Sequence, residues 1–328
     1  MSVVTTAIVQ RSLGGPEVLK IEEVPLPAPG EGEVQIRQAA IGLNFIDVYF
    51  RTGLYKAANG LPFVPGKEGA GTVTAVGPGV EDFAVGDRVA YAGADGAYSR
   101  ERNVATRHLV KVPEGISLET AAAMMLKGMT AEYLLNRTYK VGPGTTLLFH
   151  AAAGGVGLIA GQWAKALGAT VIGTAGSPEK IALALAHGYD HVIDYRNEDF
   201  VARVKDITGG AGVDVVYDSV GKDTFPGSLD CLKPRGLWVS FGNSSGPVEA
   251  FNMGILSQKG SLYATRPTLF TYISTPQELK DCAGALFAVV LSNKVRINIA
   301  QTYPLAEAAQ AHADLELRKT RGTTLLIP

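Results

Sequence analysis

A turn rich in small residues follows a short apolar run near the middle of the chain. Ala152, Gly154 and Gly157 have the spacing of the G-x-G-x-x-G motif, with alanine in the first place. In that motif the first residue allows a tight turn, the second lets a phosphate approach the backbone, and the third lets a helix pack closely on a strand. The N–H groups at the start of the following helix then hold the anion. The predicted dinucleotide contacts of this turn are Ala152, Gly154, Gly155, Val156 and Gly157.

The end of the next strand decides which nucleotide fits. About 20 residues after the turn, an NAD site usually offers an acid to the ribose hydroxyls. Here Gly176 and Ser177 are small and uncharged, and we expect Glu179 to point away as a first-turn helix residue. Lys180 adds a cation that suits a 2′-phosphate, so NADPH is the predicted cofactor. The alternative for Lys180 is a solvated helix lysine.

Hydrophobic patterning predicts an α/β fold with a doubly wound parallel sheet. Short apolar strands alternate with helical stretches beyond residue 141, which indicates right-handed βαβ units. The predicted strands are 146–150, 170–174, 191–194, 213–218 and 237–241, and the predicted helices are 156–167, 179–187, 198–208 and 223–232. The chain before this region is strand-and-turn material, and a helix at 276–291 and a strand at 323–327 follow it. We therefore expect a Rossmann domain at 126–265, inserted into a β-rich domain made of 1–125 and 266–328.

Composition excludes several classes of protein. Thirty Lys and Arg against 31 Asp and Glu give a net charge of −1, so no global field attracts nucleic acid or an acidic membrane. Cys231 and Cys282 are too few for a disulfide scaffold. The first residues lack a basic signal-peptide region, and no apolar run is long enough to cross a bilayer. These features predict a cytoplasmic protein without a membrane partner.

The segment Gly66–Gly71 resembles the G-H-E-x-x-G stretch of the medium-chain dehydrogenase/reductase superfamily, in which the histidine binds zinc. Lys67 occupies the histidine position, and the upstream cysteine ligand falls at Asn44. The later cysteine ligand falls within 127–130, which contains none. The resemblance therefore implies no metal, and zinc-dependent alcohol oxidation is excluded. We expect Lys67 instead to neutralise Glu68.

The resemblance narrows to the zinc-free NADPH:quinone oxidoreductases of the zeta-crystallin type and covers essentially the whole chain. It is carried by Asn44–Tyr55, Pro65–Gly71, the phosphate turn, Asp194–Arg196, Phe241–Gly246 and Thr265–Pro267. It implies a GroES-like catalytic domain around the Rossmann domain, and a homodimer. The cofactor contacts that it implies are Asn44, Thr130, Gly176, Ser177, Lys180, Tyr195, Phe241, Gly242, Asn243 and Arg318, with the Lys, Tyr and Arg around the 2′-phosphate. The implied catalytic residues, which form the quinone pocket, are Asn44, Tyr49 and Tyr55.

Hydride transfer to a quinone requires mainly that donor and acceptor rings be aligned and that water be excluded. Tyr49 and Tyr55 can stack on a planar acceptor, and the Asn44 amide or a tyrosine hydroxyl can hydrogen-bond its oxygen. Tyr49 can alternatively be a core residue. Asp47 can cap the helix or pair with Arg51 across one helical turn, without contacting the substrate.

The sequence therefore predicts NADPH-dependent reduction of quinones, by electron or hydride transfer from the nicotinamide and without metal. The predicted partner is a quinone or another small planar electrophile. Two alternatives stay open. One is reduction of the double bond of α,β-unsaturated carbonyls, and the other is an NADPH-binding structural or RNA-binding protein of the crystallin kind. The charge of −1 and the lack of a basic cluster with interleaved aromatics argue against RNA.

Overall fold

The computed structural model describes residues 3–328 and contains two compact units. The first unit takes in the chain up to Met129, together with Ile273–Leu291 and Ile297–Pro328. The second comprises Thr130–Tyr272 and Ser292–Arg296. A doubly wound domain thus interrupts a β-rich domain in sequence, which confirms the predicted fold class.

The strands and helices are numbered here in chain order. The strands are β1 Val4–Gln10, β2 Leu19–Pro25, β3 Glu33–Gly42, β4 Glu68–Val76, β5 Arg88–Ala92, β6 Glu101–Ala105, β7 Leu109–Lys111, β8 Thr146–Phe149, β9 Thr170–Ala175, β10 His191–Asp194, β11 Val213–Asp218, β12 Leu232–Ser240, β13 Tyr263–Thr265, β14 Ile299–Pro304 and β15 Thr323–Ile327. The α-helices are α1 Phe45–Thr52, α2 Leu118–Tyr133, α3 Gly155–Ala166, α4 Pro178–Leu185, α5 Phe200–Ile207, α6 Gly227–Asp230, α7 Gly254–Gln258, α8 Leu269–Tyr272, α9 Pro276–Leu291 and α10 Ala308–Glu316.

The main sheet of the first unit pairs the C-terminal strand β15 with β3, while β1 and β2 form a separate two-stranded sheet. The order of the main sheet is β14-β15-β3-β4-β5-β7, with β6 also paired to β3, and β15 runs antiparallel to β3 with Leu325 opposite Gly42. Alternate residues of β3 such as Val34 and Ile36 are fully buried, as expected for a strand with one face on a core. The chain leaves β3 at Gly42 and enters α1 three residues later, so the core sheet determines where α1 begins.

The second unit is a six-stranded parallel sheet in the order β10-β9-β8-β11-β12-β13. Leu147 and Leu148 on β8 are fully buried, because helices cover both faces of a parallel sheet. The strand order reverses between β8 and β11, and ligands of such sheets bind beyond the carboxyl ends of the strands at that point. The phosphate turn follows β8 directly.

No helix in the described part of the chain, residues 3–328, is both long and apolar enough to cross a membrane.

Candidate functional site

The phosphate turn leads from β8 into a helix whose first residues present backbone N–H groups. Gly154 precedes α3 with extended backbone, and Gly155 and Val156 form its first turn. A Cβ on Gly157 would lie 2.5 Å from two backbone carbonyl oxygens of the turn, so only glycine allows this close packing. A Cβ on Gly154 would meet its nearest protein atom at 3.1 Å. The N–H groups of such a helix start suit a phosphate.

The tight bend of this turn lies one residue earlier than the motif predicts. Ala151, with φ of 56°, has the left-handed conformation, whereas Ala152 is fully buried and donates its N–H to the Thr174 carbonyl at 3.0 Å. Ala152 therefore binds the turn to β9. A methyl group is tolerated at the first motif position because the left-handed bend belongs to its neighbour.

The residues predicted to hold the 2′-phosphate come together at the end of β9, with one exception. Ser177 caps α4, and its Oγ accepts a hydrogen bond from the Lys180 N–H at 3.4 Å. The hydroxyl of Tyr195 packs on Gly176, since a Cβ there would lie 2.5 Å from it. Arg318 belongs to the first unit, where it is exposed just beyond α10 with φ of 58°. Thr130 is buried on α2, at the start of the second unit.

The loop after β12 is held by an arginine that the sequence left without a firm role. Arg266 donates to the Ser240 carbonyl at 2.8 Å, and its other terminal nitrogen lies 2.9 Å from Asn243 Oδ1 in the satisfied amide orientation. A Cβ on Gly242 would lie 2.6 Å from a carbonyl oxygen of the loop after β11. Phe241 donates its N–H to the Asp218 carbonyl at 2.8 Å. This loop is therefore rigidly placed at the carboxyl ends of β11 and β12.

Asp218 is a site-organising residue that the sequence reasoning missed. Its Oδ1 accepts from the Gly221 N–H at 3.0 Å, and its Oδ2 accepts from the Ser228 hydroxyl at 2.8 Å. Ser228 in turn contacts His150 Nε2 at 3.1 Å, while His150 Nδ1 contacts the Thr174 hydroxyl at 3.0 Å. Burial lowers the pKa of His150, so the ring is neutral and fully hydrogen-bonded. An acid at the end of a strand, three residues before a glycine, was the available signal.

Asn44, on the first unit, is buried directly before α1 and has both of its side-chain hydrogens engaged inside the protein. Its Nδ2 donates to Glu68 Oε2 at 2.8 Å and to the Gly42 carbonyl at 3.2 Å. Glu68 is fully buried, and its Oε2 also accepts from Lys127 Nζ at 2.7 Å. The other oxygen of Glu68 accepts from the Leu126 N–H at 2.7 Å. The ion-pair partner of Glu68 is thus Lys127, whereas the ion pair of Lys67 is with Asp95.

The two predicted acceptor-stacking residues form an aromatic pair, one on α1 and one in the segment after it. Tyr49 is buried on α1, and its ring centroid lies 5.2 Å from that of the half-buried Tyr55 in an edge-to-face arrangement. The Tyr55 N–H donates to the Tyr49 carbonyl at 3.0 Å, which fixes the segment after α1. Tyr55 also packs edge-to-face on Phe50 at 5.8 Å. The first unit therefore brings Asn44, Tyr49 and Tyr55 onto one short helix and its extension.

A buried chain of hydrogen bonds connects α1 to His312 on α10 and to Tyr98. Arg51 donates to His312 Nδ1 at 3.0 Å. Because a guanidinium cannot accept a hydrogen bond, the ring proton of His312 is on Nε2, which donates to the Tyr98 hydroxyl at 2.9 Å. Tyr98 donates to Asp47 Oδ2 at 3.0 Å, which also accepts the Asn44 N–H at 3.0 Å. Of the two alternatives for Asp47, the helix cap is confirmed, because its carboxylate accepts the Asn44 N–H. The pair with Arg51 is wrong, because Arg51 binds His312 and Glu316 instead.

Burial shifts the pKa values of Asp47 and His312, two members of this hydrogen-bonded chain, in opposite directions. It raises the pKa of Asp47 to about 7, although hydrogen bonds from Asn44 and Tyr98 and the charges of Lys127 and Lys67 lower it. Burial, helped by the Arg51 charge, lowers the pKa of His312 to about 3. Between about pH 4 and pH 7 the Asp47 carboxyl is protonated in the folded protein but ionised in the unfolded chain. Between about pH 3 and pH 6.5 the His312 ring is neutral in the folded protein but protonated in the unfolded chain.

These shifts predict a compensated pH dependence of stability. As pH falls from 7.5 to 5, Asp47 stabilises the fold and His312 destabilises it, so the contributions of these two groups to the free energy of unfolding should nearly cancel. Asp47→Asn removes only the first effect and is expected to lose about 2 kcal/mol over that interval. His312→Gln is expected to become more stable instead. Urea unfolding at both pH values measures this, and parallel pH profiles for the wild type and Asp47→Asn would contradict it.

The residues at the zinc positions of the superfamily do not fit zinc. Lys67 forms an ion pair with Asp95 and places its ammonium 4.4 Å from the centre of the Phe50 ring. Lys127 brings a second buried ammonium to the stretch where a cysteine ligand is expected. Across residues 3–328, no three His, Cys, Asp or Glu side chains are arranged to hold a metal ion. Cations that already bind acids cannot act as metal ligands.

Comparison with known proteins agrees with this architecture. Residues 30–143 match the alcohol dehydrogenase GroES-like domain family, and residues 155–281 match the zinc-binding dehydrogenase family. The chain is 57% identical over 316 residues to a quinone oxidoreductase of Pseudomonas aeruginosa, with 96% of this chain and 97% of the relative covered. It is 45% identical to a 2-haloacrylate reductase of Burkholderia, with 99% of each chain covered.

The chain is also similar in structure to a solved protein. The quinone oxidoreductase of Escherichia coli complexed with NADPH has a TM-score of 0.96 and 53% identity, with 98% of this chain and 100% of that chain covered. Sequence and fold agree along the whole length of both proteins. The chain therefore belongs to the quinone oxidoreductases of the medium-chain dehydrogenase/reductase superfamily.

Proposed function

We propose that this protein catalyses the reduction of quinones by NADPH. The observation that carries the proposal is the end of β9, where Lys180 and Tyr195 lie with Gly176 and Ser177, next in the sheet to the phosphate turn after β8. A cation and hydroxyls without an NAD-type acid there suit a 2′-phosphate. The relative crystallised with NADPH and the relatives that bear the name quinone oxidoreductase support this assignment.

The roles of the side chains follow from their surroundings. Bound NADPH supplies the reducing equivalents, as hydride or as electrons. The α3 N-terminus holds the pyrophosphate, and the loop with Asn243 lies at the same edge of the sheet. Tyr49 and Tyr55 offer aromatic faces to a planar acceptor. Asn44 cannot donate to a quinone oxygen as the sequence suggested, because both N–H bonds of its side chain are already used.

A second candidate activity is reduction of α,β-unsaturated carbonyls. The observation that favours it is the 45% identity to a 2-haloacrylate reductase over 99% of both chains. A carbon–carbon double bond next to a carbonyl can accept a hydride in the same position as a quinone ring. The two activities differ in the size and shape of the acceptor.

One experiment separates these activities. Initial rates of NADPH oxidation should be measured side by side with a para-quinone, an ortho-quinone and an α,β-unsaturated ketone. We expect turnover with the quinones and little with the ketone. A preference for the ketone would transfer the assignment to double-bond reduction, and NADPH binding without turnover of any of the three would support a binding protein.

We also infer that the activity is independent of zinc and that the protein acts as a homodimer. The zinc inference rests on the ammonium groups of Lys67 and Lys127 at the family's ligand positions. Dialysis against a strong chelator should leave the quinone rate unchanged, and a loss restored by zinc would refute the inference. Sedimentation analysis that found only a monomer would refute the homodimer, which rests on the family resemblance.

Lys180→Ala is expected to raise the KM for NADPH about tenfold or more while changing the KM for NADH little, because a charged hydrogen bond to phosphate contributes about 1.5–3 kcal/mol. Lys205→Ala, an exposed lysine on α5, is the control. Equal effects of Lys180→Ala on both cofactors would show that the 2′-phosphate is held elsewhere.

A further inference from the structure

Thr174, near the carboxyl end of β9, connects that strand to the phosphate turn by two hydrogen bonds. Its carbonyl accepts from the Ala152 N–H at 3.0 Å, and its hydroxyl lies 3.0 Å from His150 Nδ1. All three residues are buried. The regular pairing of β8 with β9 ends at Phe149 and Gly173, so Thr174 extends the connection between these strands by one residue.

The hydrogen-bond partners of His150 determine the direction of its bond with Thr174. Oδ2 of Asp218 accepts from the indole N–H of Trp238 at 3.3 Å and from the Ser228 hydroxyl at 2.8 Å. The only hydrogen of that hydroxyl is then used, so His150 donates from Nε2 to the Ser228 oxygen at 3.1 Å. A neutral ring with its proton on Nε2 can only accept at Nδ1, and the Thr174 hydroxyl is therefore the donor. Because Ser228 donates to the carboxylate and not to the histidine, it is not an activated nucleophile.

Four buried residues of the second unit form this Thr174 network: Thr174, His150, Ser228 and Asp218. They come from the ends of three neighbouring strands, β9, β8 and β11, and from α6. Asp218 also accepts from the Gly221 N–H at 3.0 Å, which includes the loop after β11. The network therefore holds the ends of these strands at a fixed separation.

The two elements that Thr174 connects suit different parts of the proposed cofactor. The α3 N-terminus after the phosphate turn suits the pyrophosphate, whereas Ser177, Lys180 and Tyr195 beyond β9 suit the 2′-phosphate. One ligand can engage both groups of contacts only if their separation matches the ligand. NADH has no 2′-phosphate and depends on the first group alone.

We propose that Thr174 is a positioning residue that sets the preference for NADPH over NADH, because its hydroxyl fixes the end of β9 relative to the phosphate turn. The rest of the Thr174 network holds His150 in the orientation that accepts this hydroxyl. The inference rests on the proposed function, which puts the 2′-phosphate of NADPH at the end of β9.

Two opposite substitutions of Thr174 separate a hydrogen-bonding role from a packing role. Thr174→Val keeps the shape of the side chain but removes the hydroxyl, and it leaves Nδ1 of His150 without its donor. Thr174→Ser keeps the hydroxyl and removes a methyl group. Thr170→Val is the matched control, because Thr170 is exposed at the other end of the same strand.

The test is titration calorimetry of the full chain with NADPH and with NADH, in the absence of quinone. We expect Thr174→Val to lower the ratio of the NADH Kd to the NADPH Kd about fivefold, part of the effect of a charged hydrogen bond. The Kd for NADH should change by less than about twofold, and Thr174→Ser and Thr170→Val should keep the wild-type ratio. Urea unfolding gives the stability of each variant, and a merely structural role would lower the stability without changing the ratio.

A positioning role also requires that Thr174 act through the contacts to the 2′-phosphate. When Lys180→Ala is already present, Thr174→Val should lower the ratio by less than it does in the wild type. The full effect in that background, an unchanged ratio in Thr174→Val, or a larger effect of Thr174→Ser would each overturn the proposal.

The binding measurement distinguishes failure of this inference from failure of the proposed function. If the wild type prefers NADPH but does not reduce quinones, the proposed function fails, and the ratios of the Thr174 variants still decide the inference. If the wild type binds both cofactors equally, the inference is overturned even though quinones are reduced.

Discussion

Arg51→Met is expected to lower the free energy of unfolding of the first unit by about 3 kcal/mol. Arg51 is 1% exposed, and its guanidinium donates twice to Glu316 at 2.8 Å, once to His312 and once to the Gly14 carbonyl. Methionine fills much of the volume but donates nothing. The variant therefore leaves the buried acceptors on His312 and Gly14 unpaired, and each costs free energy.

The same substitution at an exposed ion pair is the matched control. Arg37 lies 2.8 Å from Glu101, the same separation as in the buried pair, but its side chain is 69% exposed. Arg37→Met should cost about 0–1 kcal/mol, because water already solvates both charges. Urea unfolding followed by circular dichroism gives both values, and hydrogen exchange should locate the loss of Arg51→Met on α1 and α10. Equal costs for the two variants would contradict the role given to burial.

Gly157→Ala is expected to weaken binding of both NADPH and NADH by about a hundredfold. The added Cβ would lie 2.5 Å from the carbonyl oxygens of Ala151 and Ala152, and backbone atoms cannot move aside as a flexible side chain would. The start of α3 has to shift away from the turn, and the N–H groups that hold the pyrophosphate move with it. Loss of affinity for both cofactors distinguishes this variant from Lys180→Ala, which is expected to weaken the binding of NADPH alone.

Gly284→Ala is the control for the added methyl group. Gly284 also lies in a helix, α9, but a Cβ there has no atom within 4 Å. The variant should bind both cofactors normally and gain about 0.5–1 kcal/mol of stability from the better helix former. Fluorescence titration with each cofactor measures the affinities. Normal binding by Gly157→Ala would show that the turn tolerates the shift.

Local patterning predicted most elements of the second unit within a few residues. Strand 213–218 agrees with the structure at both ends, and so does helix 276–291 of the first unit. The predicted helix 223–232 is wrong in extent, since only Gly227–Asp230 is helical. Pro226 lacks an N–H and disfavours helix in the residue before it, while Asp218 holds the preceding turn. Strand β13, with three residues, was too short for an alternating pattern to reveal.

The sequence did not predict which charged residues of the first unit pair with each other. Lys67 was expected to neutralise its neighbour Glu68, yet it pairs with Asp95, and Glu68 pairs with Lys127. Lys67 lies in the loop before β4 and Glu68 is the first residue of that strand, so adjacency in sequence did not make them partners in space. The true partner stands 59 positions away.

By itself the sequence determined the fold class, the family resemblance and the preference for NADPH, because these depend on local patterns: alternating strands and helices, the spacing of small residues and an acid-free strand end. Only the tertiary structure decided that Glu68 and the Gly42 carbonyl take both N–H bonds of the Asn44 amide, and that α1 is supported by the chain from Arg51 to Asp47. Hydrogen-bond direction depends on partners brought together from distant segments, and a buried group must find a partner wherever the fold provides one.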